Sequence, residues 1–315
     1  MTTRHIPYTK GLHTLNDTCH TWLVPDGTWG WSNAGLITGD GESLLVDTLF
    51  DVPLTREMLE GLAGITDAAP IRTAVNTHAN GDHWFGNELL ADAEIIASAA
   101  TVEEMTQNSP LRLQGLLEQP GAVGKFARHI FEPFDLTGVT ATLPTRTFER
   151  ALELTVGGTQ VSLHNLGPAH TTGDTVVHVP HARTIYAGDL LFIGGTPITW
   201  AGPVSNWIKA CEFMLSLDVD TFVPGHGPVT DQAGVRGVID YLQFVASEAT
   251  DRHSLGMSAE EAMRDIKLGR FADLDERGRL AQNVLAVYYE LDPDLEHVDA
   301  LEVFRRMADL EGWTD

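Results

Sequence analysis

Two histidines, an aspartate and an asparagine crowd into Thr77-His78-Ala79-Asn80-Gly81-Asp82-His83. An apolar run ending at Val75 feeds directly into them. Imidazole and carboxylate are good ligands for zinc and similar ions, so such a cluster at a strand end can hold a divalent metal. Three later segments repeat the theme: Gly167-Pro168-Ala169-His170, Tyr186-Ala187-Gly188-Asp189 and Val223-Pro224-Gly225-His226. Each sets a His or Asp beside Gly or Pro after a β-rich run. Taken singly, a loop histidine is often a surface residue and an Asp after Gly a turn former. Taken in order, the four segments point to one composite site.

The spacing says how they could meet. His78 and Asn80 are two apart, so on extended backbone their side chains leave on the same side. Asp82 and His83 fall where the chain turns and can face a second centre. Gly188 and Gly225 precede Asp189 and His226 and let backbone approach closely.

This order resembles the metallo-β-lactamase superfamily, whose signature is H-x-H-x-D-H followed by a lone His, a lone Asp and a lone His at strand-to-loop junctions. The resemblance runs from the first strands to Gly227, with one departure: Asn80 stands where the family has its second His. It implies one metal site of His78, Asn80 and His170, a second of Asp82, His83 and His226, and Asp189 as the bridge. The implied cofactor is Zn2+, one or two ions, with iron or manganese as alternatives. An amide oxygen is a weaker donor to zinc than imidazole. Three outcomes follow: a pair with one loosely held ion, a single ion on Asp82, His83, Asp189 and His226, or a site tuned to iron or manganese.

The resemblance further implies a hydrolase working through metal-bound hydroxide, because a bound ion lowers the pKa of its water from ~15.7 to about 7. Asp82 is then the catalytic residue that orients the nucleophile or shuttles its proton. Asn80 has a second expected role, donating a hydrogen bond to the developing oxyanion, worth roughly 2.7–4 kcal/mol where such donors have been removed. Asp189, where β-lactam-cleaving members tend to have Cys or Ser, favours a small ester, thioester or lactone as substrate. Trp29, Trp31, Trp84, Phe85, Phe192 and Trp200 lie near the motifs and mark an expected apolar pocket, although such residues serve equally well as core. Two alternatives stand beside the hydrolase: an iron-dependent redox or lyase member, and a non-catalytic binding protein on the same fold. His13, His129, His164, His178, His181, His253 and His297 match no motif position.

The elements that must carry these residues read as α/β. Strands are expected at Thr21–Val24, Gly35–Thr38 and Ser43–Asp47, a helix over Leu54–Leu62, and a buried strand at Ile71–Val75 that delivers the first motif. Trp84–Leu90 reads as the start of a helix and Glu94–Ala97 as a strand. Leu152, Leu154 and Val156 alternate before a Gly157-Gly158 turn and Val161, a hairpin signal. Strands at Thr175–Val179, Thr184–Ala187 and Thr221–Val223 follow. Between the last two, Ser205 is placed to cap a helix carrying Trp207, Cys211 and Met214 on one face, so Cys211 reads as core. Ser258-x-x-Glu261 is a capping box within a helical C-terminal region, residues 231–315. Residues 99–144, rich in Pro and Gly, read as an insertion over the active-site face. The expected architecture is a four-layer αβ/βα metallo-β-lactamase sandwich in one domain, residues 1–315, with a helical insertion and C-terminal helices.

Composition narrows the partners. The chain has 44 acidic and 20 Lys or Arg residues, a net charge of −24. That disfavours nucleic acid, whose phosphates require clustered Lys and Arg. A small-molecule substrate is expected, no membrane partner, and self-association as a homo-oligomer is left open. Cys19 and Cys211 are too few for a disulfide framework. The stretch from Met1 to Asn16 holds Arg4, His5 and Lys10 without an apolar segment, and no window approaches 18 uninterrupted apolar residues. A cytoplasmic location with reduced thiols is the expectation.

Overall fold

The computed structural model describes residues 6–108 and 110–315, with the side chains at 111 and 112 also left aside. Arg4 and His5 of the N-terminal reading lie outside the described residues.

Among the described residues the chain forms two sheets. The first holds seven strands in sequence order: β1 (Gly11–Thr14), β2 (Cys19–Leu23), β3 (Ala34–Thr38), β4 (Ser43–Val46), β5 (Ile71–Val75), β6 (Glu94–Ser98) and β7 (Arg146–Phe148). The second holds five: β8 (Ala151–Val156), β9 (Thr159–Asn165), β10 (Thr175–Val179), β11 (Thr184–Phe192) and β12 (Thr221–His226). Alternation along the strands builds the layers. Leu44 and Val46 face Val161, Leu163, Val177 and Val223 of the second sheet, forming a core between the sheets. Leu45 points the other way, onto Met58 and Leu62 of α1 (Val52–Thr66). Val176, Ile185 and Phe222 of the second sheet turn outward to α5 (Val204–Ser216) and α6 (Gln232–Ser254). The order is helix, sheet, sheet, helix, the αβ/βα sandwich.

Three short helices, α2 (Ala99–Met105), α3 (Pro110–Leu117) and α4 (Gly121–Phe131), interrupt the strands. Three more, α7 (Ala259–Asp265), α8 (Leu280–Leu291) and α9 (Ala300–Leu310), follow α6. The Ser258/Glu261 capping box is formed at the start of α7. Cys211 is buried on α5 and Cys19 on β2, both as free thiols. No helix among the described residues is long and apolar enough to cross a membrane.

Two expectations need correction. Trp84–Leu90 does not begin an α-helix: it holds a single 3-10 turn, Asn87–Leu89, and another, Gly81–His83, comes just before it. Side-chain bonds outbid helix formation here: Asn87 Nδ2 donates to Asn76 Oδ1 at 2.8 Å and to Thr142 O at 3.0 Å. Ser205 does not cap α5, because the helix already begins at Val204 with Pro203 before it and no capping side chain. Two strands escape pattern reading. β7 has only three residues, two of them exposed, and β1 has no fully buried position, so neither alternates visibly. β11 also runs past Ala187 to Phe192, keeping parallel contact with β12 through two register shifts.

Trp84 is wholly buried, and its Nε1 donates to Ala79 O at 2.9 Å. It is a core residue beneath the first motif. Trp84→Ala is expected to cost about 3–5 kcal/mol in chemical unfolding, whereas the exposed Leu301→Ala should stay within about 0.5 kcal/mol of wild type. Near-equal midpoints for the two variants would contradict that placement.

Candidate metal centre

The motif residues arrive at one place from four strand ends. β5 delivers His78, and the tight turn after it delivers Asp82 and His83. The loop between β9 and β10 delivers His170, β11 delivers Asp189, and β12 ends in His226. Two glycines make the approach possible. A side chain at Gly225 would collide with Asp189 Oδ1. Gly188, at φ +51°, would place a Cβ 2.6 Å from Thr77 Oγ1. In both places the strand passes too close to its neighbour for any larger residue.

Two triads result, His78/His170/Asp189 and Asp82/His83/His226, each with its potential ligand atoms within 4.8 Å of one another. All six residues are buried. Asp189 lies between the triads. Its carboxylate is 3.8 Å from His78 Nε2, 3.4 Å from His170 Nε2, 3.2 Å from His83 Nε2 and 3.4 Å from His226 Nε2. Asp82 Oδ2 is 3.2 Å from His226 Nε2 and 3.6 Å from His83 Nε2.

Each imidazole is held from behind by its Nδ1. His170 Nδ1 meets Ile198 O at 2.6 Å, and His226 Nδ1 meets Gly27 O at 3.1 Å. His83 Nδ1 meets Asp47 Oδ2 at 2.9 Å. His78 Nδ1 meets Thr77 Oγ1 at 2.9 Å, while that hydroxyl donates to Asp47 Oδ2 at 2.8 Å. Carbonyl and carboxylate partners place a proton on Nδ1, so each Nε2 faces the carboxylates as the position open to a metal ion or a second proton. His78 Nε2, His83 Nε2 and Asp189 Oδ1 make no hydrogen bond although buried. Electron-rich atoms packed this way need cations among them, so the donor set fits a divalent metal.

Asn80 sits in the same ring of groups. Its Nδ2 lies 3.0 Å from His170 Nε2, and turning the amide over would present Oδ1 instead. Asp47 is a residue that the sequence pattern did not single out. At φ +62° and buried, it also accepts from Thr77 N at 2.7 Å, tying His83 to the strand that carries His78. Its only sequence signal is an Asp closing an apolar strand, which reads equally well as a turn.

Charge follows geometry. Burial lowers His78 well below the ordinary imidazole value, with His83 adding to it, and burial likewise lowers His170. For His226 burial pulls downward but Asp189 and Asp82 outweigh it, raising the group to about 9. His83 is raised in the same way, against burial, by Asp189, Asp82 and Asp47. Burial opposes ionisation of Asp189, yet His226, His83 and His78 hold it well below the usual carboxylate range.

A cavity of about 550 Å³ opens above the two triads, with Asn80, Asp82, His170, Asp189 and His226 in its floor. Trp29, Phe85, Phe192 and Trp200 line it. Trp84 and Trp31 do not belong to its wall: the first is core, and the second packs on Phe134 at 4.6 Å between ring centres. α2, α3 and α4 contribute Glu104, Leu113, Leu116 and Phe131, and α9 contributes Phe304.

A two-sheet sandwich whose strand ends converge on paired His/Asp triads defines a class of metal-dependent enzymes. The family model described as the metallo-beta-lactamase superfamily matches residues 27–226, and the chain belongs to that superfamily, whose members bind divalent metals. Among individual proteins, the chain is 28% identical over 263 residues to the 2,4-dinitroanisole O-demethylase subunit alpha of Nocardioides sp. (strain JS1661), covering 81% of this chain and 69% of the relative. Its fold is similar to that of the stereoselective inverting sec-alkylsulfatase Pisa1 from Pseudomonas sp., with a TM-score of 0.69 and 17% identity. That match takes in 97% of this chain but 55% of the sulfatase, so the chain spans about half of that protein's length. It is also similar to the metallo-beta-lactamase FIM-1 from Pseudomonas aeruginosa in its mono-zinc form, at a TM-score of 0.54 and 19% identity, covering 75% and 97% of the two chains.

Two outcomes follow from the geometry. Asp47→Asn keeps the volume but weakens the anchor behind His83, so metal affinity should fall about 10–100-fold by competition with a chromogenic chelator. Unchanged affinity would show that Asp47 does not orient the site. The second concerns pH in chelator-treated protein. Below about 6.5 the unfolded chain takes up protons that folded His78 and His170 refuse, so stability rises with pH. Between about 6.5 and 9 folded His226 keeps a proton that the unfolded chain has lost, so stability falls. Asp174, which burial raises to about 8, adds to that fall. Urea midpoints should therefore drop between pH 6.5 and 9, and a midpoint rising steadily across that window would contradict this.

Proposed function

We propose that the protein is a metal-dependent hydrolase of a small ester, thioester or lactone. One observation carries the reading: His170, His226, Asp82 and Asp189 lie in the floor of an apolar-walled cavity, and His78 and His83 complete their two triads. His78 and His170 would hold one divalent ion with Asn80 beside them, and Asp82, His83 and His226 a second, with Asp189 reaching both. A divalent ion held there supplies an acidified water and a sink for the charge that develops on the substrate oxygen.

The remaining roles belong to the chain. Asp82, in the cavity floor, orients the attacking water and takes up its proton. Asn80 presents its amide at the open edge of the His170 site, where Nδ2 can donate to the substrate's developing oxyanion. Gly27 O, Ile198 O and Asp47 fix the imidazole planes, so the site is organised before substrate arrives. The aromatic wall excludes water and accepts an apolar group. Zinc is the ion favoured here, supported by the mono-zinc lactamase of similar fold. Relatives named as an O-demethylase and an alkylsulfatase support scission at a bond to oxygen, which favours esters and lactones over thioesters.

Metal analysis joined to an esterase assay tests the reading. Turnover of a phenyl acetate should disappear with chelator and return with zinc, manganese or iron, the best ion identifying the working metal. Asn80→His should raise the metal retained through dialysis, since imidazole is the stronger donor. Turnover indifferent to exhaustive chelation would overturn the proposal.

A further inference from the structure

Above the triads the cavity becomes aromatic, with Trp29, Phe50, Phe85, Phe131, Trp200 and Phe304 in its wall. Their rings support one another: Trp29 lies 6.3 Å from Phe131, 6.3 Å from Trp200 and 6.0 Å from Phe304 between centres. The charges in that wall are one-sided. Among the described lining residues, Arg279 is the only Lys or Arg, whereas Glu104 and Asp299 are acidic.

Arg279 is only 2% exposed, and its charge is already matched. Its Nη2 lies 2.7 Å from Glu276 Oε2, and its Nη1 donates to Thr196 O at 2.9 Å. The guanidinium stacks between Trp29 at 4.2 Å and Phe192 at 5.1 Å. Glu276 in turn accepts from Trp29 N at 2.6 Å, so the pair also anchors the wall. To a molecule in the cavity the pair therefore offers no net positive charge.

We propose that the Glu276–Arg279 pair sets specificity: the cavity takes a substrate whose body is an uncharged arene, and rejects one whose body is anionic. A flat neutral ring trades water for aromatic faces. An anionic body would give up its hydration beside a cation already committed to Glu276, with Glu104 and Asp299 repelling it. Only the scissile bond depends on the hydrolase reading; recognition of the body does not.

The test pairs molecules that differ in one charge. Calorimetry on chelator-treated protein compares benzamide with benzoate, and turnover on metal-supplied protein compares 4-acetoxybenzamide with 4-acetoxybenzoate, charged far from the acetate. Wild type should favour the neutral member by at least about tenfold in both. Glu276→Gln, checked for folding by circular dichroism, frees the arginine charge and should bring both ratios toward or past unity. If that variant does not fold, Arg279→Met serves: it leaves Glu276 unpaired, and rejection of benzoate deepens. Equal binding of benzoate and benzamide by wild type, or ratios unmoved in the folded variant, would overturn the proposal. Absent turnover of both esters with the binding preference intact would overturn the hydrolase reading and leave this one standing.

Discussion

Everything at this site depends on one electrostatic constraint: four imidazole Nε2 atoms and two carboxylates are held facing one another out of water. Unpaired electron density of one sign is costly to bury, and only protons or metal ions placed between can relieve it. The fold carries that cost because other elements enforce it. Asp47, Thr77, Ile198 and Gly27 fix the four rings from behind, and the close pass of Gly188 and Gly225 brings β11 and β12 together. The convergence is thus a property of the backbone and its hydrogen bonds.

The same logic extends outward. The sandwich brings strand ends to one edge, and loops alone would not hold six side chains to such spacing. α4 and α9, distant in sequence, meet over that edge and bring Phe131 and Phe304 to the cavity. The floor is polar and needs cations, while the wall is apolar and lacks free positive charge. On the function and specificity proposed above, a substrate presents an oxygen to the floor and an uncharged ring to the wall.

Much of this was legible in the sequence, and the limits have physical causes. The motif residues stood out because ligand chemistry requires His and Asp, and close approach requires Gly beside them. The paired sheets were legible from alternation, as in Leu152, Leu154 and Val156, whereas β7 was too short and exposed to alternate. Trp84–Leu90 misled because periodicity cannot register that Asn87 is held by Asn76 and Thr142. The tryptophans could not be sorted either, since Trp84 in the core and Trp29 in the cavity differ only in what surrounds them. Asp47 and Arg279 were silent for a different reason. Their importance lies in a partner, His83 or Glu276, and a single sequence does not show which residues meet.

The most direct measurement is anomalous diffraction from crystals of the zinc-supplied protein. The account predicts an anomalous peak at the convergence of Asp82, His83, Asp189 and His226, with ligand distances of about 2.0–2.2 Å and every histidine bound through Nε2. A zinc-supplied crystal with no peak there, or with the ion bound elsewhere, would contradict it.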